Sequence, residues 1–211
     1  MKPNEMRAKG YSVGLTGGIA CGKTEIGRLF QREGAAVLDA DDVAHEVIAK
    51  GRPAYRRIVD HFGRAILGTD GEVDRPALAR RVFANDSERK ALEAMVHPEV
   101  IETMRRWRDG VMSGGGVAVG VVPLMYEVGL EGMWDVVVCV KASPEVVAER
   151  LRLKGWKEED AMARVRAQMP VEEKARRANY VVENNGSLDE LAKKSRDVWA
   201  RISRKEKAYH G

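Results

Sequence analysis

Residues Gly17-Gly18-Ile19-Ala20-Cys21-Gly22-Lys23-Thr24 follow the spacing G-x-x-x-x-G-K-[ST]. These residue types, in this order, suit a polyphosphate. Glycines let the backbone curl until successive N–H groups face one phosphate. A following helix adds the partial positive charge of its N-terminus. Lys23 supplies a compact positive charge to β- and γ-phosphates, and the Thr24 hydroxyl is suited to ligating Mg²⁺. The ordinary alternative is a Gly-rich turn with a fortuitous Lys-Thr. A chance match in a chain this long is roughly a one-in-a-hundred event.

Three further groups carry candidate chemistry. Asp39-Ala40-Asp41-Asp42 crowds carboxylates behind a short apolar run, where one could hold a metal or accept a proton. Equally, Asp41 or Asp42 could cap a helix starting near Val43. Val122-Pro123-Leu124-Met125-Tyr126-Glu127 ends another apolar run on a carboxylate, and Glu127 could orient a substrate hydroxyl or a metal's water shell, or be an ordinary first-turn Glu. Leu124, Met125 and Tyr126 read most simply as pocket wall or core. His97-Pro98 falls inside a helical pattern, where a lone His is more often a local hydrogen-bonding residue than a ligand. No Cys/His cluster has metal-ligand spacing, and no G-x-S-x-G or Cys/His pairing suggests a nucleophile.

Positioning these residues requires a particular scaffold. Tyr11–Thr16, Ala36–Asp39, Val117–Pro123, Val136–Lys141 and Tyr180–Glu183 have the pattern of short strands, three almost wholly apolar, as in parallel strands covered on both faces. Between them lie helical patterns. One is Thr24–Arg32; Asp74-Arg75-Pro76, Asp86, Ser143-Pro144-Glu145 and Ser187 with Glu190 mark the starts of others, the last running to about Ser203. Asp86 should precede a helix ending near His97, which Pro98 restarts. Alternating strands and helices predict an α/β fold with a five-stranded parallel sheet. In such a sheet Asp39–Asp42 and Glu127 fall on the same carboxyl-end rim as the Gly-rich loop. The long helical interval is too much for one crossover. It is expected to be an inserted lobe, 51–113, with Gly114-Gly115-Gly116 as its return. Arg150–Arg177 is highly charged and helical: either a solvated pair of helices or a lid bringing cations over a phosphate.

Composition bounds the partners. The 211 residues carry 36 Lys+Arg against 32 Asp+Glu, a net charge of +4, with 44% apolar and 32% charged residues. That is too apolar for wholesale disorder, and no apolar run approaches the roughly 20 residues of a spanning helix. MKPNEMRAKG has no apolar signal-peptide core. Two cysteines, Cys21 and Cys139, suit reduced cytosolic thiols better than a disulfide framework. The modest positive excess fits phosphate-bearing small molecules as well as nucleic acid, which nothing else supports.

Taken together, the motifs resemble the dephospho-CoA kinase family. The resemblance runs through GLTGGIACGKT (Gly14–Thr24), LDADDVAHEV (Leu38–Val47), GRPAY (Gly51–Tyr55), DGEVDRPAL (Asp70–Leu78), LEAMVHPEV (Leu92–Val100), VPLMYE (Val122–Glu127) and QMPVEEKARRANYVVENNG (Gln168–Gly186). It implies a P-loop NTPase kinase fold. It also implies phosphotransfer from ATP, with Mg²⁺, to the 3′-hydroxyl of the dephospho-CoA ribose. By the same resemblance Asp41 matches the catalytic base, while Lys23 and Arg150 match catalytic cations and Thr24 the Mg²⁺ ligand. Gly17–Thr24 and Asn184, Asn185 and Gly186 would bind ATP. His97, Glu127, Tyr126 and Leu124 would face the acceptor, and Arg150, Arg152, Lys154 and Arg164 would be lid cations.

The implied layout is a nucleotide-binding core (10–50, 114–149, 178–204), an acceptor lobe (51–113), a lid (150–177) and tails at 1–9 and 205–211. The implied partners are ATP and dephospho-CoA, for a cytoplasmic monomer or small homo-oligomer that binds neither membrane nor nucleic acid. Departures from the family pattern are Val147 for Gln, Lys154-Gly155 for Arg-Asp and Asn179 for Asp. Other P-loop small-molecule kinases, such as nucleoside monophosphate kinases, share the loop. A GTP-binding switch would want N-K-x-D, where this chain has Glu183-Asn184-Asn185-Gly186.

Overall fold

The structure is a computed structural model and describes residues 10–83 and 85–209. The expected N-terminal tail, 1–9, lies outside the described residues, as do the last two residues. In chain order the elements are β1 (Tyr11–Gly17), α1 (Lys23–Arg32), β2 (Ala36–Asp39), α2 (Ala40–Val47), α3 (Pro53–Phe62), α4 (Arg75–Phe83), α5 (Asp86–Ser113), β3 (Val117–Val121), β4 (Val136–Lys141), α6 (Pro144–Leu153), α7 (Glu158–Arg166), α8 (Val171–Arg177), β5 (Tyr180–Glu183) and α9 (Leu188–Tyr209). They divide into two compact units. One takes the chain up to Leu38 and again from Arg108, and the other is Asp39–Trp107.

The first unit is built on β1, which is buried at every position because it runs down the middle of the sheet. The strand order is β2-β3-β1-β4-β5, and the pairings of β1 with β3, β1 with β4 and β4 with β5 are parallel. Val13, Leu15, Val119, Val138 and Val140 form a core with Ile26 and Phe30 of α1 and Leu191, Val198 and Ile202 of α9. Phe30 and Trp199 join the two helices, with ring centroids 5.0 Å apart.

Parallel strands put their carboxyl ends on one rim. Leu15 pairs with Val121, Gly17 with Val140, and Lys141 with Glu183. That rim therefore carries the Gly-rich loop, the Val122–Glu127 segment, the start of α6 and Asn184–Gly186. β3 stops at Val121, short of the expected Pro123, because Pro123 has no N–H for a ladder. Asn179, at the family's Asp position, accepts the Val137 N–H at 2.7 Å and so fixes the entry to β5.

The second unit is helical. Ile58, Phe62, Ile66, Leu78 and Val82 are its buried core, packed by Leu92, Met95 and Val96. Asp74 caps α4 through the Ala77 N–H at 3.0 Å, as its position predicts.

Four local expectations need correction. Asn85, not Asp86, caps α5, through the Ser87 N–H at 2.9 Å. The helix also runs unbroken through His97-Pro98 instead of restarting there. Proline removes one i→i−4 hydrogen bond, but Arg57 donates to Met95 O at 2.9 Å and to Glu99 at 2.5 Å, adding bonds on the same stretch. Asp39, not Asp41 or Asp42, caps α2, which begins at Ala40. Residues 205–209, expected in a tail, continue α9, since Lys, Glu and Ala favour helix.

Candidate active site

The loop after β1 is held in a shape that its residue types dictate. Gly17 (φ +143°) lies so close to β4 that a Cβ there would meet Val140 O at 2.0 Å. Gly22 caps α1 in the left-handed region (φ +100°), and a Cβ there would meet Asn184 Nδ2 at 2.3 Å. Ala20 also takes a positive φ, +55°. Lys23 reaches back over the loop and donates from Nζ to Gly17 O (3.1 Å) and Gly18 O (2.8 Å). Thr24 is exposed on the first turn of α1. The result is a cation and a helix N-terminus facing one concave backbone, the requirement for binding a polyphosphate.

Arg150 and Asn184 brace this loop. From α6, Arg150 donates to Ala20 O at 3.2 Å, Asn184 O at 3.0 Å and Asn184 Oδ1 at 3.1 Å. Asn184 is buried and donates from Nδ2 to Cys21 O at 2.8 Å. Its amide therefore supports the loop, while the exposed Asn185 ties Ser143 N to the same rim at 2.7 Å. Ser187 and Glu190 form the reciprocal capping box expected of them, at 2.9 and 3.3 Å, and start α9 beside Gly186.

Two clefts flank the loop. One of about 580 Å³ is lined by Gly22, Lys23, Thr24, Arg150, Leu153, Asn184 and Leu188, among others. The other, about 410 Å³, is lined by Gly18, Ile19, Lys141, Val147, Gln168 and Met169, among others. Cys21 and Cys139 are free and buried, and burial pushes both thiols up, that of Cys139 to about 12. Neither is poised as a nucleophile.

Glu127 has a partner that the sequence did not reveal. It pairs at 2.7 Å with Lys174 of α8, whose side chain is fully buried, and accepts the Met169 N–H at 2.9 Å. Lys174 also donates to Pro123 O at 2.7 Å, an oxygen shared with the Thr16 hydroxyl at 3.3 Å. Three segments are thereby knotted at one point: the end of β1, the turn after β3, and α8. Lys174 stands among Glu172, Glu173, Arg176 and Arg177, so composition alone gives it the look of a solvated helix charge. Its only sequence signal is membership of the QMPVEEK motif.

Next to this knot, Tyr126 is buried, with Arg177 stacked 4.3 Å from its ring centroid. Its hydroxyl has no hydrogen-bond partner among the described residues, and burial pushes its pKa up. Arg177 also pairs with Glu131. Leu124 is partly exposed beside them.

The remaining cations of the charged segment lie elsewhere. Arg152 pairs with Glu149 one turn away at 2.8 Å and is mostly exposed, Lys154 is exposed beside the larger cleft, and Arg164 stacks on Trp156 at 4.2 Å. Asp41 and His97 belong to the second unit. Asp41 is exposed on the first turn of α2, its backbone N–H donating to Asp39 Oδ1 at 2.9 Å, and His97 is half-buried within α5.

A parallel sheet in the order 2-3-1-4-5, with a Lys-bearing phosphate loop between its central strand and the next helix, defines a P-loop kinase fold. The dephospho-CoA kinase family profile matches residues 11–190. A Bacillus cereus dephospho-CoA kinase is 42% identical over 180 residues, covering 84% of this chain and 90% of its own. One from Streptomyces avermitilis is 42% identical over 189 residues, covering 89% and 92%. The crystal structure of a Thermus thermophilus protein superposes with a TM-score of 0.77 at 35% identity, covering 91% of this chain and 97% of that one. This chain belongs to the dephospho-CoA kinase family.

Proposed function

We propose that this enzyme transfers the γ-phosphoryl group of ATP to the 3′-hydroxyl of the dephospho-CoA ribose, giving coenzyme A and ADP. Family membership supports the reaction. The single observation that carries the donor half is the braced loop, with Lys23 laid across the carbonyls of Gly17 and Gly18. On binding ATP, Lys23 exchanges these carbonyls for phosphate oxygens and stabilises charge on the transferred group.

Thr24 fits a Mg²⁺ ligand. It is an exposed hydroxyl directly after Lys23, and among the described residues no group of three or more His, Cys, Asp or Glu side chains forms a competing metal cage. Mg²⁺ is held in that manner, by few protein oxygens plus phosphates and water, and supplies charge neutralisation when bound.

Asp41 is the base in this reading. The ribose hydroxyl is a poor nucleophile, and a carboxylate within hydrogen-bond reach orients it and accepts its proton. The first Asp of D-A-D is occupied as a helix cap, which favours the second for this role. The helical unit, with His97, takes the acceptor, and 150–177 acts as a lid that keeps water from the γ-phosphate. Glu127, positioned by Lys174, serves the acceptor side with Tyr126 and Leu124. The same reading makes the enzyme a cytoplasmic monomer or small homo-oligomer acting on small molecules, without nucleic-acid or membrane partners. No helix among the described residues is long and apolar enough to cross a membrane.

A coupled assay of ADP release with dephospho-CoA, AMP, CMP and dTMP as acceptors tests the proposal. Turnover with dephospho-CoA alone is expected. Turnover with a nucleoside monophosphate and none with dephospho-CoA overturns it.

A further inference from the structure

The smaller cleft beside the phosphate loop brings the loop's tip against the return of the charged segment. Gly18 and Ile19 stand on one side, with Gln168, Met169 and Val171 on the other. The approach is close, since a Cβ at Gly18 would meet Val171 Cγ2 at 3.4 Å. Gly18 O also accepts from Lys23 Nζ at 2.8 Å, and that ammonium is the group that meets β- and γ-phosphates. The return therefore borders the end of the site where the γ-phosphate belongs.

The cleft's other polar side chains have partners. Lys141 pairs with Glu172 and Glu183 at 3.1 and 3.0 Å. Ser143 accepts the Val146 N–H as the cap of α6, and Asn185 accepts the Ser143 N–H at 2.7 Å. Gln168 differs. Its amide oxygen is buried with no hydrogen-bond partner among the described residues, and its neighbours Val147, Val165 and Pro170 bring apolar side chains. The backbone beneath it is fixed all the same. Gln168 N donates to Val165 O at 3.3 Å, and the next N–H, that of Met169, donates to Glu127 at 2.9 Å. Glu127 is in turn held by the buried Lys174. Turning the amide toward a ligand breaks no bond at that oxygen, whereas leaving it in place keeps a polar atom buried and unpaired.

Resting on the proposed reading of the loop as the donor site, we propose that Gln168 is a further catalytic residue, whose side-chain N–H donates to an oxygen of the transferred phosphoryl group. In the transfer, the acceptor oxygen bonds to phosphorus as the bond from phosphorus to the β-bridging oxygen breaks. ADP departs with that electron pair, and the hydroxyl proton goes to Asp41. Gln168 neither gives nor takes a proton. It stabilises charge on the oxygens of the moving group, as a neutral donor on an anchored backbone.

The test uses the full chain. Gln168→Leu should lower kcat by about 10²-fold, the scale of one lost donor to developing charge, and leave both KM values and the melting temperature unchanged. Gln168→Glu keeps the shape but brings a carboxylate that only accepts, and should lower kcat at least as far. Parent-like kcat in either variant overturns the proposal, as does a loss that appears as higher KM or a lower melting temperature. Calorimetry with ADP, Mg²⁺ and aluminium fluoride, a mimic of the transferred group, reads the same contact without an acceptor. Gln168→Leu should weaken that complex by about 10²-fold and leave binding of ADP alone unchanged. Equal weakening of both, or of neither, overturns the proposal. Failure of dephospho-CoA as acceptor with the selective weakening intact removes the proposed reaction and leaves the Gln168 assignment standing.

Discussion

Arg150 and Lys174 stand near the two ends of the charged segment, and Arg152 and Arg164 stand between them. All four look alike in sequence, as basic residues on short helices. Their environments differ sharply. Arg150 makes three hydrogen bonds to the phosphate loop and its Asn184 brace, and Lys174 is fully buried on Glu127 and Pro123 O. Arg152 is mostly exposed and pairs with Glu149 of its own helix, and Arg164 stacks on Trp156. The segment is fastened near its ends and carries outward-facing cations between them. In the lid proposed for 150–177, Arg150 and Lys174 are the anchored ends.

The largest expected effect sets the scale for the fastened loop. Lys23→Ala should lower kcat by about 10³-fold or more, since such cations are worth several kcal/mol in the transition state, while the fold melts normally. Near-wild-type turnover would remove the loop from the mechanism.

The comparison itself is sharpened by Lys174→Met. Lys174 is buried while Glu127 stays in part exposed, so the variant loses the Lys174 hydrogen bond to Pro123 O and the charge beside Glu127, about 1.5–3 kcal/mol in denaturant unfolding. The double variant with Glu127→Gln should recover part of that loss. A single variant as stable as the parent would mean that this end is not fastened.

A smaller effect separates the two carboxylates of D-A-D. Asp41→Asn should reduce kcat by about 10²-fold with little change in stability, whereas Asp39→Ala should cost about 1 kcal/mol of stability as a lost helix cap. The reverse result would exchange their roles.

Smallest of all is Arg152→Ala, which should leave the melting temperature where it was. Hydrogen exchange in α6 and α7 should slow when nucleotide and acceptor analogues bind together. Unchanged exchange, with full activity in alanine variants of Arg152, Lys154 and Arg164, would show the middle of the segment to be a solvated surface and not a lid.

What was legible in the sequence follows from how local each signal is. β-branched runs marked all five strands, and Asp74, Ser143 and Ser187 with Glu190 cap the helices they precede, because these preferences are decided within a few residues. The loop was legible because its chemistry is compressed into eight consecutive residues. Pro98 misled because the propensity that breaks helices is overridden inside the helical unit, where Arg57 bonds the same stretch of α5. Glu127 was legible as a rim carboxylate but not as the partner of Lys174, since that pairing joins segments far apart in the chain. Likewise nothing local distinguishes Asn184, buried under the loop, from the exposed Asn185.

The central claim is a bond formed at one oxygen, and ³¹P NMR of the completed reaction reads it directly. With ATP, Mg²⁺ and dephospho-CoA, a new monoester resonance coupled to the ribose 3′ proton should grow as the γ-phosphate signal of ATP disappears. Loss of that signal into inorganic phosphate alone, or a monoester at another hydroxyl, would contradict the assignment.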